Sequence, residues 1–475
     1  MLSLGEIAGA ITGARLLPGT AADIRIECVS TDSRTIGPGA LFVALRGPRF
    51  DGHDYIDAAL GRGASAVICE RTAAGEGRAI IVVPDALLAL QQLATHWRRR
   101  WRGPLIAVTG SNGKTSVTRM IACILAAQHG ADAYWATPGN LNNHIGVPLT
   151  LLGLRERHRR AVIELGMNHP GEIAVLSAIA EPTVALVNNA QREHQEFMHS
   201  VMATALENGE VFRSLPADGR AIHPRDPAHE AAWASLAAGH GRLRFGFVTD
   251  PADASYGGEE VLVEPIPAAG AGAIRLHLPG EGALCVQLRA MGRHVARNAA
   301  AAASCALAAG CTSGAIAAGL AAFEPVPGRG NVLALAGGGR VVDDTYNANP
   351  DSVVSAIEGL AELPGPRALV LGDMGETGDE SPAFHREALE LARGRGLDGT
   401  WLHGDAFGKA QAAVGTGRHF PVLQALLADL GDWIAARQAE GCEPSVWVKG
   451  SRSMHMERVV AALAVDGGSR MAEPH

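Results

Sequence analysis

The sequence predicts an α/β protein of three domains built on mostly parallel sheets. Two observations carry the fold class. Apolar runs of strand length alternate with helical periodicity along the whole chain, and those runs are nearly unbroken, as strands covered on both faces must be. The domain number comes from a third: 475 residues make about three units of roughly 150 residues each.

Turn chemistry and composition set the boundaries at residues 1–100, 101–325 and 326–475. The first block contains the strand runs "ALFVAL" and "ASAVIC" and closes on the basic cluster "HWRRRWRG" before Pro104. The second opens with the strand "LIAVTG" and continues through "RAVIELG" and "PTVALVNN", with helical spacing between them. The third follows the turn-rich "EPVPGRGN" and adds the strands "RVVDDTY", "RALVLGDM" and "SVWVKGS". The uncharged stretch Ala299 to Phe323 has the length of a membrane span. It is mostly Ala, Gly, Ser and Thr, however, and "GCTSG" divides it into two helices, the second capped at Thr312 or Ser313. The last ten residues, "DGGSRMAEPH", read as a disordered tail.

Composition excludes several classes of function. The net charge of −8 provides no electrostatic footprint for nucleic acid. Apolar residues at 47% and charged residues at 19% support packed cores rather than disorder. The seven cysteines form no C-x-x-C pair and are odd in number, the pattern of a reducing compartment. With no basic segment leading an apolar block at the N-terminus, the chain reads as cytoplasmic.

The strongest chemical signal is "AVTGSNGKTSVTR", residues 107–119. A buried strand runs into a glycine turn, and Val117, Met120, Ile121, Ile124 and Leu125 then recur at helical spacing. Such a turn aims backbone N–H groups and a helix N-terminus at an anion, to which Lys114 adds a full charge. The spacing is G-x-x-G-K-T, two residues shorter than the common nucleotide loop. Only three lysines occur, Lys114, Lys409 and Lys449, in a chain that otherwise uses arginine. A retained lysine marks a place that needs a compact ammonium. Ligands of open α/β sheets gather at strand carboxyl ends, where Glu164, Asn188 and Asn189 stand, with His194 just beyond. A carboxylate and an imidazole near such a loop suit magnesium, the imidazole acting through water.

With these stand "GNLNNHIGVP" (139–148), "VIELGMNHPGEI" (162–173), "DDTYNANPDS" (343–352), "LVLGDMGETGDE" (369–380) and "VKGSRSMHMERV" (448–459). Together they resemble the Mur ligases, and within them the branch that adds D-alanyl-D-alanine. The resemblance implies an N-terminal domain for the UDP end of the substrate, a central ATP-binding domain of phosphate-loop type, and a Rossmann-like C-terminal domain. It implies ATP and Mg2+, a UDP-N-acetylmuramoyl-tripeptide and D-alanyl-D-alanine as ligands, a monomer, and no membrane insertion. It assigns the phosphate loop to Gly110, Ser111, Asn112, Gly113, Lys114, Thr115 and Ser116, and the metal to Thr115, Glu164 and His194. Lys114, Glu164 and His194 are thereby the catalytic candidates. Asn298 falls on the adenine side, Arg329 reaches ATP from the third block, and Asp344 and Asn347 contact ribose and phosphate. Ser33 and Arg34 in "STDSR", with Asn140 and Asn143, are the implied substrate contacts.

Three positions depart from the family pattern. Most members carry a carbamylated lysine where "ALENGEVF" has Asn208. Asparagine cannot be carbamylated, so the second metal site is expected to be altered with activity retained, and the adjacent Glu207 is the candidate for the missing negative charge. "AQREHQEFM" replaces a Gly-Pro-Ala-His-Leu type of segment, and Val295 replaces the asparagine of an R-H-N motif. The rivals are a sister Mur ligase, for which a D-N-P-R segment is expected, a folylpolyglutamate synthetase, a switch or motor ATPase, and a catalytically dead muropeptide binder.

Overall fold

The computed structural model describes residues 2–48, 50–71, 78–249, 259–266, 272–290 and 292–465. The tail read as disordered lies outside them. Beside a two-stranded sheet of Leu2–Ser3 and Arg25–Ile26, three larger sheets fall one in each of the three blocks. The N-terminal sheet has five strands in the order Arg15–Leu16, Ile80–Val82, Ala66–Cys69, Ala40–Val43, Cys28–Ser30, all parallel except the first pair.

The central sheet has nine strands. Its middle strand for function, Leu105–Thr109, lies between Arg160–Glu164 and Val184–Val187, parallel to both. Alternation along these strands divides their side chains between two cores. Leu105, Ala107, Ile163 and Val187 face one, while Ile106, Val108, Val162 and Leu186 face the other. This is the two-sided burial that the apolar runs predict. The second core is closed by the helices Lys114–His129, Arg293–Ala308 and Ser313–Ala322. Thr312 caps the last of these by accepting from the Ala315 N–H at 3.2 Å, so the alanine-rich stretch is divided between two helices. They pack at very short range: a Cβ on Gly319 would stand 2.4 Å from the Cα of Ile124. Among the described residues, no helix is long and apolar enough to cross a membrane.

Two features go beyond the sequence reading. At one edge the sheet turns antiparallel: Glu260–Pro265 is parallel to Gly241–Phe247, but Ala273–Leu278 runs antiparallel to Glu260–Pro265 and to the edge strand Gly282–Gln287. And the first core does not stop at residue 100. Ala89, Leu90 and Leu93 of the helix Ala86–Arg100 belong to it together with Leu151 and Ile173 of the central block. The basic cluster is partly internal for the same reason. Arg98 is buried and donates to the carbonyls of Ala180 and Glu181, closing the C-terminus of the helix Glu172–Ala180. Burial lowers its pKa to about 10.

The C-terminal sheet runs Asn331–Ala334, Arg340–Asp344, Ser445–Lys449, Arg367–Gly372, Gly399–His403, Arg418–His419, antiparallel only at the first pair. Its two faces are covered by separate cores, as in a doubly wound fold.

Candidate phosphate-transfer site

The loop predicted from sequence sits at the carboxyl end of Leu105–Thr109, and its two glycines are required for different reasons. Gly110 has φ 130°, and a Cβ there would come within 3.0 Å of the Asn188 and Asn189 nitrogens. Gly113 has φ 82°, and its Cβ would lie 2.7 Å from the amides of Asn188 and Asn298. The helix Lys114–His129 starts directly after Gly113, which has no side chain to cap it. Its first N–H groups are therefore offered to an anion.

A neighbouring turn holds the loop in shape. The side-chain amides of Asn188 and Asn189 both donate to the Asn112 carbonyl at 2.8 Å, and the Asn112 N–H donates to Asn189 Oδ1 at 2.8 Å. Asn188 also donates to Asn298 Oδ1 at 3.0 Å, which sets Asn298 behind the loop. The Ser111 hydroxyl accepts from the Gln191 N–H at 2.9 Å. The Asn112 side chain reaches across to the third domain in a reciprocal pair with Asn349, at 3.2 and 3.0 Å.

Lys114 bends back over this loop. Its ammonium donates to the carbonyls of Gly110 at 2.5 Å and Ser111 at 3.0 Å, and to Glu193 Oε1 at 3.1 Å. Beside it, the Thr115 hydroxyl donates to Glu164 Oε1 at 3.3 Å. Glu164 is buried, and the Asn142 amide donates to the same oxygen at 2.8 Å. Two hard oxygens from Thr115 and Glu164, side by side at the loop, fit a magnesium ion.

His194 fits less simply. Its Nδ1 lies 2.5 Å from a Glu376 carboxylate oxygen and its Nε2 lies 3.5 Å from Glu193. Burial opposes the charged ring, yet the carboxylates of Glu193 and Glu376 outweigh it and raise the pKa to about 9. In this arrangement His194 is a cation, and must lose its proton before it ligates a metal. Among the described residues, no group of three or more His, Cys, Asp and Glu is close enough to form a metal cage alone.

Asn208 is fully buried at the same sheet end. Its Oδ1 accepts from the Thr109 hydroxyl at 2.6 Å, and its amide donates to the Thr204 carbonyl at 2.9 Å. Glu207 points elsewhere: it accepts the N–H groups of Gly171 and Ile173 at 2.8 Å each, at the start of the helix Glu172–Ala180. The charge expected from Glu207 thus serves a helix N-terminus.

In the third domain Asp344 and Lys449 end adjacent parallel strands in register and pair at 2.8 Å. Lys449 also donates to the Asn347 carbonyl at 2.9 Å. The Arg329 guanidinium lies 4.0 Å from the Tyr346 ring centroid. Ser116 lies in the first turn of the loop helix. The expected substrate contacts are farther out. Arg34 is exposed and held by Asp32, with Ser33 beside it. Asn140 is exposed, and Asn143 is occupied in accepting from the N–H groups of Ile145 and Gly146. Asn142, which touches Glu164, was not singled out by sequence, nor were Glu193, Glu376 or Asn349. The asparagine-rich and acidic runs containing them were visible, but a loop has no periodicity from which to read direction.

Comparison with known proteins agrees along the chain. The Mur ligase family catalytic domain matches residues 25–98, the Mur ligase middle domain residues 108–306, and the Mur ligase glutamate ligase domain residues 328–452. The UDP-N-acetylmuramoyl-tripeptide–D-alanyl-D-alanine ligase of Escherichia coli (strain K12) is 41% identical over 94% of this chain and 95% of its own. A crystal structure of MurF from Acinetobacter baumannii superposes with a TM-score of 0.86 at 32% identity, covering 97% of this chain and 98% of the other. MurF ligase from Thermotoga maritima in complex with ADP superposes with a TM-score of 0.79 at 27% identity, covering 93% and 98%.

Proposed function

The chain belongs to the Mur ligase family, and from that premise we propose that it joins D-alanyl-D-alanine to UDP-N-acetylmuramoyl-tripeptide at the expense of ATP, in peptidoglycan synthesis. The observation that carries the reaction type is the short loop with Lys114, Thr115 and Glu164 converging at its mouth.

A carboxylate is a poor acyl donor, because oxide would have to leave. Transfer of the γ-phosphoryl group of ATP to the tripeptide's terminal carboxylate converts it to an acyl phosphate and releases ADP. The amine of D-alanyl-D-alanine attacks the acyl carbon, loses its proton, and the tetrahedral adduct expels phosphate. The protein's contribution is charge and position. Loop N–H groups and Lys114 face the oxygens on which charge accumulates during transfer. Asn142 holds Glu164 in place, and Asn188, Asn189 and Asn298 keep the loop backbone in its anion-binding form. Thr115 and Glu164, with His194 once it has lost its proton, would hold magnesium, which would supply further neutralisation of phosphate charge. Asp344, Asn347 and Arg329 line the nucleotide side from the third domain, whose closure excludes water from the acyl phosphate. Ser33 and Arg34 are the contacts for the UDP end. ATP and a nucleotide-linked sugar as substrates suit a cytoplasmic monomer.

Phosphate release from ATP and magnesium, measured with and without each acceptor substrate, tests this. Release that needs both the tripeptide and D-alanyl-D-alanine, with the pentapeptide as product, is expected. Tight binding of the UDP-sugar without turnover would identify a binder instead.

A further inference from the structure

We infer that Glu193 is the counter-ion that Lys114 surrenders to ATP, so that this carboxylate sets the affinity and the seating of the nucleotide. The inference rests on reading residues 110–116 as the ATP loop.

An ammonium has three N–H donors. All three of Lys114 are engaged, by Gly110 O, Ser111 O and Glu193 Oε1. None remains for a phosphate oxygen. Two of the acceptors are carbonyls of the loop itself, and their positions are fixed by the same backbone that must receive the phosphates. The third is a side chain on a different segment, beyond the strand Val184–Val187. It alone is exchangeable. Glu193 therefore occupies the position a phosphate oxygen takes, and carries the matching charge.

The carboxylate is also held in a demanding place. Glu193 is 8% exposed, and its other oxygen, Oε2, is buried without a hydrogen-bond partner. A buried half-satisfied carboxylate is costly unless a cation stands beside it. Lys114 is that cation, with the Nε2 of His194 next, 3.5 Å from the same oxygen. An incoming triphosphate takes Lys114 and brings several negative charges against Glu193. Nucleotide binding thus has to overcome both the broken ion pair and the new repulsion.

The segment cannot simply drift aside, because Arg192, one residue earlier, is bonded to Asp351 and Glu387 of the third domain. Glu193 must turn about its own side-chain bonds. Glu193 lies in the run "AQREHQEFM".

The test is calorimetric binding of ADP and ATP in EDTA to the wild-type chain, Glu193→Gln and Glu193→Asp. Glutamine keeps the shape and an acceptor oxygen but removes the charge, and is expected to bind nucleotide about tenfold more tightly, since hydrogen bonds to ionised partners are about twice as strong as neutral ones. Aspartate keeps the charge but draws it back by one methylene, and is expected to fall between the two. KM for ATP should move in the same order. A purely structural role for Glu193 predicts the opposite sign, weaker binding in both variants. A metal-ligand role predicts unchanged metal-free binding and a raised magnesium requirement in the glutamine variant. Either result overturns the inference while wild-type binding of nucleotide leaves the ATP-loop reading intact. If the wild type binds neither ADP nor ATP, both fall together.

Discussion

Removing the Arg192 side chain should loosen the third domain from the central one. The guanidinium makes four hydrogen bonds across this junction, two to Asp351 at 3.0 and 2.8 Å and two to Glu387 at 2.6 and 3.0 Å. The ring of Phe384 lies 5.2 Å below it. Asp351 and Arg192 are each about a quarter exposed and Glu387 nearly half, so neither ion pair has the strength of a buried one. At about 1 kcal/mol for each exposed pair, Arg192→Ala costs about 2 kcal/mol of closure energy. The backbone N–H of residue 192 keeps its 2.6 Å bond to Asp351. Two kcal/mol is a shift of about 30-fold in the ratio of closed to open forms. Small-angle scattering or a fluorescence distance between the two domains reads that ratio in the ligand-free chain. The KM for D-alanyl-D-alanine reads it in turnover, since the third domain must be closed for the amine to reach the acyl phosphate. Arg192→Lys, a point charge without the fork, should recover part of the loss. An alanine variant with unchanged domain distances and KM would refute the view that this arginine fastens the domains.

Two further outcomes are expected. His194 has its pKa raised from 6.5 to about 9, so the stability it contributes is complete below pH 6.5 and is lost as pH rises through 9. The melting temperature of the metal-free chain should therefore decline over that window, and decline less in Glu376→Gln, which lacks one of the carboxylates holding the proton; parallel profiles would exclude the effect. Asn208 cannot form a carbamate, and the three lysines elsewhere are accounted for. Lys114 is bonded to its own loop, Lys449 to Asp344, and Lys409 is exposed on the helix Asp405–Val414. Turnover should be indifferent to removal of carbon dioxide, and activity that disappears in carbonate-free buffer and returns with bicarbonate would contradict this.

What could be read from sequence and what could not divides along the range of the interactions. The phosphate loop was legible because every feature that makes it is local: a buried strand, two glycines at positive φ, and a helix whose apolar positions repeat at once. A cap at Thr312 or Ser313 was legible for the same reason, and Thr312 fills it. The partners of the loop were not, since Asn112 and Asn349 are 237 residues apart and Arg192 and Asp351 are 159 apart. Where the mostly parallel central sheet turns antiparallel was not legible, because an apolar run signals burial and says nothing of strand direction. The first boundary was set, from turn chemistry and composition, at the basic cluster before Pro104. Within that cluster Arg98 is buried: a helix with unpaired terminal carbonyls can draw a guanidinium inside.

Glu207 and Asn208 show how helical geometry decides between neighbours. Successive residues of a helix point about 100° apart. In Val201–Gly209 that rotation sends Asn208 to Thr109 at the sheet end and Glu207 to the N-terminus of the helix Glu172–Ala180. No rearrangement short of unwinding the helix brings Glu207 to the loop. The negative charge beside Lys114 comes from another segment, through Glu193. The loop's surroundings then alternate in sign, with Lys114 beside Glu193, Glu193 beside His194, and His194 beside Glu376 of the third domain. A change at Lys114 is thereby felt, through two intervening side chains, at the junction that Arg192 also fastens. Nucleotide arrival and domain closure share one chain of charges, so substitutions at Glu193 and Glu376 should not be additive in their effect on ATP binding.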